Sequence, residues 1–190
     1  LCSFDMQSQY ELAFRMLQSG ANIGKVTLFI LSSRALSSQG CHLVTGGTGG
    51  LGLVTSRWIM HQGAARLVLA SRSGVISQKE GSIKLATDAG RTTIKAWRCD
   101  AGDVKDVCRL EASEVLTAIW HAAGVLSDSL LSRQSTEDLI SVWKPKSVGA
   151  SVLHQACKST LCACTMFSSI TGLIGGAGQC NYGAGLVFGD

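Results

Sequence analysis

The sequence predicts an α/β fold in which a parallel sheet is doubly wound, with helices on both faces. Three observations carry that expectation. From about residue 40, strand-sized apolar runs alternate with segments of helical spacing. The first of those runs ends in a glycine-rich turn that opens a helix. The strands are separated by helices, and parallel neighbours require such crossovers.

Residues 1–39 stand apart from that pattern. "SQYELAFRMLQSG" is spaced as an amphipathic helix closing on Gly20, and "GKVTLFIL" reads as a strand. "SSRALSSQG" is a serine-rich linker, so a domain boundary is expected near residue 38, dividing 1–38 from 39–190. The alternation then begins. "CHLVTGG" is a short apolar strand, and "GLGLVTSRWIMHQGA" a helix closing on Gly63. "ARLVLASRSG" is the second strand, "SQKEGSIKLATDAG" a helix ending at Gly90, and "TTIKAWRCD" a strand with partial alternation. A short helix in "AGDVKDVCRLEAS" leads to the buried strand "EVLTAIWHAAG". "STEDLISVWKPKSVGASVLHQACKS" reads as helix throughout, and "LCACTMFSS" is the fifth strand, ahead of the glycine-rich "GLIGGAG". Trp120 and Trp143 are expected in the core.

Composition narrows the function classes. A length of 190 residues suits one domain of ordinary size, and 46% hydrophobic against 16% charged residues is globular. The net charge of +4 comes from scattered Lys and Arg, without the concentrated patch that nucleic-acid binding needs. The most apolar run, "VTLFIL", is strand-sized and far short of a membrane span. The start lacks both an initiating Met and the basic and apolar regions of a signal peptide, so the chain reads as an excerpt from something longer. Eight cysteines form no C-x-x-C pair, and Cys162 and Cys164 on one strand face are too few for a structural zinc site. They are expected to be small buried hydrophobes in a reducing compartment, cytoplasm or plastid stroma, with no metal.

The glycine-rich turn "LVTGGTGGLG" carries the first chemistry. Gly46, Gly49 and Gly52 form G-x-x-G-x-x-G, while Gly47, Gly49 and Gly52 form G-x-G-x-x-G. In either register glycines permit a tight turn, let backbone N–H groups approach a pyrophosphate, and aim a helix N-terminus at its charge. At the end of the second strand an NAD enzyme wants an acid for the ribose 2′-hydroxyl. "LASRSG" offers Ser71 and Arg72 instead, and a guanidinium suits the 2′-phosphate of NADPH. Asp100, closing "RCD", is placed either to accept from the adenine amino group or to cap the helix that follows.

"LVTGGTGGLG", "LVLASRSG", "HAAGVLSD", "WKPKSVGASVLH" and "MFSSITGLIGGAGQCNY" occur in that order. Together they resemble the ketoreductase domain of modular polyketide synthases, a Rossmann-like branch of the short-chain dehydrogenase/reductase superfamily. The related domain of animal fatty acid synthase is a near second. The resemblance covers residues 41–190. It implies NADPH-dependent reduction of a β-ketoacyl thioester tethered to an acyl carrier protein, beside neighbouring megasynthase domains. Cofactor contacts are implied at Gly46, Thr48, Gly49, Gly50, Leu51, Gly52, Ser71, Arg72, Cys99, Asp100, Ala122, Ala123 and Gly124. The N-terminal "YELAFRMLQSGANIGKVTLFI" is similar to the closing segment of the enoylreductase domain that precedes such ketoreductases; a local cap helix and strand is the alternative.

The resemblance also assigns roles to catalytic groups. Tyr182 is the proton donor and Ser169, thirteen residues before it, the carbonyl clamp. Free tyrosine has a pKa of about 10, and a nearby ammonium lowers it. Polyketide ketoreductases bring that lysine from a "PK" motif, matched by Lys146, and place Asn four residues after the Tyr. Here that position is Leu186, which can neither donate nor accept. If nothing substitutes, the loss of a relay group costs about 1–3 kcal/mol, roughly ten- to a hundredfold in rate. The stretch from Asp100 to His121 is short beside the family pattern. Past Asp190 the family has a lid and further strands, so the resemblance implies a C-terminally incomplete sheet. "VLSD" keeps one acid, Asp128, of the "LDD" motif, which leans toward the class giving the D-hydroxyl product. His121 and His154 are expected to be structural. The rival functions are an inactive NADPH-binding scaffold, favoured by Leu186, and a nucleotide-sugar epimerase or dehydratase, which needs Lys at that position.

Overall fold

A computed structural model describes residues 2–5, 9–19, 26–29, 40–76, 92–157 and 161–187. The helix expected over 77–90 and nearly all of the serine-rich linker lie outside the described residues. The chain divides into two compact units, Leu1–Ala35 and Leu36–Asp190. In the first, β1 (Cys2–Asp5) pairs in parallel with β2 (Val26–Phe29), and α1 (Tyr10–Ser19) lies between them in sequence. Helix α1 and β2 match expectation. β1 does not, because "CSFD" is too short to display a period.

The second unit carries β3 (Cys41–Thr45), α2 (Gly50–His61), β4 (Arg66–Ser71), β5 (Thr93–Arg98), α3 (Val104–Ser113) and β6 (Leu116–His121). There follow α4 (Thr136–Trp143), α5 (Gly149–Cys157), β7 (Ala163–Met166), α6 (Thr171–Ile174) and α7 (Cys180–Val187). The five strands form one sheet in the order β5-β4-β3-β6-β7, every pair parallel. The order reverses at β3, which has β4 on one side and β6 on the other. Crevices for ligands open at such a switch, beyond the carboxyl ends of the strands.

Alternate residues of the buried strands feed opposite faces. Leu43, Val68 and Ile119 pack with Val107, Leu110 and Leu153 under α3 and α5. Val44, Leu67 and Leu69 pack with Ile59, Met60 and Ala64 under α2. Full burial of each such side chain is worth about 1.5–3 kcal/mol. Trp120 is half-buried at the edge of that second cluster, edge-on to Trp58 at 5.5 Å, and donates to His42 Nδ1. Trp143 is only half-buried too, lining an open groove with Leu139, Ile140 and Val148.

Three local expectations are corrected. The long helix is interrupted: Lys144–Val148 forms a π turn between α4 and α5. Pro145 is the reason, since it has no N–H and its ring crowds the preceding turn, which widens the ladder. Asp103, not Asp100, caps α3, accepting from the amides of Lys105 and Asp106. Cys41, Cys99 and Cys157 are buried, but Cys108, Cys162, Cys164 and Cys180 are exposed. Among the described residues no group of His, Cys, Asp and Glu is placed to hold a metal ion, and no helix is long and apolar enough to cross a membrane.

Candidate active site

A cleft of about 340 Å³ opens at the switch point. All thirteen residues with implied cofactor contacts line it: the turn and first helical residues Gly46, Thr48, Gly49, Gly50, Leu51 and Gly52, then Ser71 and Arg72 after β4, Cys99 and Asp100 after β5, and Ala122, Ala123 and Gly124 after β6. Gly46 has φ +64°, and a Cβ there would lie 2.9 Å from the Ala122 carbonyl. A Cβ on Gly52 would lie 2.3 Å from the Gly46 carbonyl, so α2 meets the turn only through glycine. Gly49, the N-cap, supplies no side chain, and the first turn holds no acid. The opening amides of α2 therefore face the cleft without an intrahelical acceptor, in the positive end of the helix dipole. This cradle fits a pyrophosphate. Arg72 is exposed at the rim. Asp100 accepts from the Gly102 amide at 3.0 Å and from Lys144 Nζ at 3.1 Å. Burial pushes the Cys99 thiol up to about 12, which keeps it protonated and inert.

The second group of residues gathers beside β6 and β7. Lys146 leaves the π turn buried, and its Nζ donates to the Phe167 carbonyl at 2.8 Å. Ser169 follows two residues on, its hydroxyl donating to Thr171 Oγ1 at 3.2 Å. Thr171 donates to Gln179 Oε1 at 3.4 Å, and Gln179 Nε2 to Asp128 at 2.9 Å. A chain of hydrogen bonds through one hydroxyl and one amide thus links Ser169 to Asp128 across the start of α7. Asn181, buried, fastens the same loop by donating to the Ser127 carbonyl at 2.9 Å. Tyr182 is half-buried in the first turn of α7. One turn on, a Cβ on Gly185 would lie 3.9 Å from Lys146 Cβ, so the helix bearing Tyr182 packs directly on the turn bearing Lys146. Leu186 is buried there, and with His121, Lys146 and Phe167 it bounds a cavity of about 10 Å³, the size of one water. His154 is exposed on α5.

A protein-family model described as "KR domain" matches residues 40–190. The chain belongs to the ketoreductase domain family. Its relatives include polyketide synthases. It is 40% identical over 197 residues to polyketide synthase GfsB of Streptomyces halstedii, covering 99% of this chain and 3% of that protein. It is 38% identical over 191 residues to the spectinabilin polyketide synthase system protein NorB of Streptomyces orinoci, covering 96% of this chain and 9% of the relative. The chain therefore spans under a tenth of the length of either. Among solved structures, an A-type ketoreductase from a modular polyketide synthase superposes with a TM-score of 0.73 at 32% identity, over 82% of this chain and 34% of that one. Ketoreductase domains are oxidoreductases of the short-chain dehydrogenase/reductase superfamily and use a nicotinamide cofactor. In this ketoreductase domain, sequence patterns did not single out Thr171, Gln179 or Lys144 as site residues. Lys144 alone had a signal, its place in "WKPK".

Proposed function

We propose that this domain reduces a β-ketoacyl thioester, tethered to an acyl carrier protein, to the β-hydroxyacyl thioester, with NADPH as hydride donor. The observation that supports it best is the meeting of two groups past the end of β6: the glycine-cradle cleft, which Gly124 and Arg72 line, and Lys146, whose Cε would lie 3.0 Å from a Cβ on Gly124. When bound, NADPH supplies a hydride to the carbonyl carbon. The chain's own residues do the rest. The amides of the Gly49–Gly52 turn hold the pyrophosphate, and the Arg72 fork takes the 2′-phosphate. Ser169 turns its hydroxyl from Thr171 to the substrate carbonyl oxygen. Tyr182 gives that oxygen its proton, and the Lys146 ammonium stabilises the phenolate that remains. Asp128, held by Gln179, is the residue that favours the D-hydroxyl product. Residues 1–38 belong to the tail of a preceding domain and its linker.

The test begins with binding. NADPH titrated by fluorescence is expected to bind saturably and at least about tenfold tighter than NADH, with Arg72→Ala costing roughly ten- to a hundredfold. Reduction of a β-ketoacyl thioester, followed by NADPH consumption, comes next. Absence of binding at millimolar cofactor defeats the proposal. Binding without turnover would favour a second reading, a cofactor-holding scaffold, for which the burial of Leu186 against Lys146 is the specific observation.

A further inference from the structure

His121 ends β6 beneath the cleft and is 2% exposed. Both ring nitrogens are engaged: Nε2 lies 2.8 Å from the Pro145 carbonyl, and Nδ1 2.7 Å from Thr45 Oγ1. A carbonyl oxygen only accepts, so Nε2 carries the proton and Nδ1 accepts from the Thr45 hydroxyl. The Thr45 oxygen in turn accepts from the Ala123 amide at 3.3 Å. The cascade runs one way, from the cleft wall at Ala123 through Thr45 and His121 to the π turn. Burial, aided by the neighbouring Lys146 charge, pushes the imidazole down to about 4, so it is neutral near pH 7. The helix after the turn packs close to the ring through a glycine, since a Cβ on Gly149 would sit 3.2 Å from its Cε1.

The bond lands on the one residue of the π turn that can neither donate nor keep the regular ladder, and the next residue is Lys146. We infer that His121 is a positioning residue: by holding the Pro145 carbonyl it fixes where Lys146 leaves the turn, and so keeps the ammonium at the Phe167 carbonyl beside Ser169. The inference rests on the proposed pairing of Lys146 with Tyr182. It replaces the expectation that His121 is merely structural.

The chain has two tyrosines, Tyr10 and Tyr182. In a Tyr10→Phe background of the 190-residue chain, ultraviolet titration of the phenolate therefore reports Tyr182 alone and needs no turnover. Lys146→Met, which removes an ammonium that favours a phenolate, is expected to raise the midpoint. His121→Phe is expected to raise it in the same direction, and His121→Gln, which keeps an N–H near the former Nε2, to restore it. The double variant should go no further than Lys146→Met. If Lys146→Met moves the midpoint and His121→Phe does not, the positioning role is overturned while the Lys146–Tyr182 pairing stands. If Lys146→Met moves nothing, the pairing falls and takes the role with it. Circular dichroism checks folding. If His121→Phe does not fold, Thr45→Val, which removes the hydroxyl fixing the ring's tautomer, is read on the same titration, and an unmoved midpoint beside a shifted Lys146→Met has the same overturning force.

Discussion

Leu186 presents a buried apolar side chain to the cavity that Lys146 also lines. It is 2% exposed and shares a cavity of about 10 Å³ with Lys146 and His121, room for one water and no chain of them. Leu186→Asn is expected to raise turnover of a β-ketoacyl thioester about tenfold. The same change should cost about 1–3 kcal/mol of stability, because it removes buried apolar contact and adds an amide; steady-state rates and urea denaturation read the two effects separately. His121 gives a second effect at this scale. Its pKa is held down to about 4 in the folded chain against an ordinary 6.5. Between those values the unfolded chain binds the proton first, so stability is whole above about pH 6.5 and is lost as pH falls toward about 4. The loss is expected to reach roughly 3 kcal/mol. Urea midpoints at pH 7 and pH 5 should differ in the parent and converge in His121→Gln. The carboxyls of Asp106, bonded by the Asp100 amide, and Asp138, bonded by the Ser127 hydroxyl, are held below their usual range and titrate on the acid side of this window.

The contact between α2 and the glycine turn separates glycines that look alike in sequence. A Cβ on Gly52 would meet the Gly46 carbonyl at 2.3 Å, whereas one on Gly50 would meet nothing within 4 Å. Gly52→Ala must push α2 off the turn, at about 1–3 kcal/mol, so NADPH affinity is expected to fall roughly ten- to a hundredfold. Gly50→Ala should stay within about twofold, since its amide remains in place. Equal losses from both, measured by fluorescence titration, would show that the cradle is not set by this contact. The same element shows what a sequence discloses. Strand, turn and helix were legible because period and glycine placement act over a few residues. The π turn was not, since Pro145 in a helix can kink it, end it or widen it, and the packing of α7 and His121 around it decides which. Nor was the relay from Ser169 to Asp128, whose last bond joins residues 51 apart through a loop with no periodic signal.

At the scale of the chain, the two compact units, Leu1–Ala35 and Leu36–Asp190, predict two responses to ligand. A cofactor held at the β3–β6 switch point stabilises only the unit that contains it. NADPH at a hundredfold excess over its Kd is expected to add about 2.7 kcal/mol to the larger unit and shift its melting by several degrees. Hydrogen exchange in β3 and β6 should slow accordingly, while amides of α1 keep their rates. Uniform slowing across both units would mean that they unfold as one. The five-strand order was legible as a class, because helices between parallel strands allow few windings. Thirteen of the residues that line the crevice were named through the motifs and the family they resemble; that Thr45, Ala101, Val125 and Pro145 join them required the strands to be laid side by side.

The π turn has a consequence for how this chain tolerates change. Three successive residues each bond the tail of a different strand: Lys144 to Asp100 after β5, Pro145 to His121 at the end of β6, and Lys146 to Phe167 after β7. Such a segment works as a spacer of fixed length. Substituting Lys144 or Lys146 loosens a single tether, and a substitution at position 145 still supplies the carbonyl that His121 bonds, but inserting or deleting one residue between Trp143 and Gly149 rotates the helical register by about 100° and detaches all three together. That turn is therefore constrained in its number of residues even where, as at Pro145, a backbone group makes the bond.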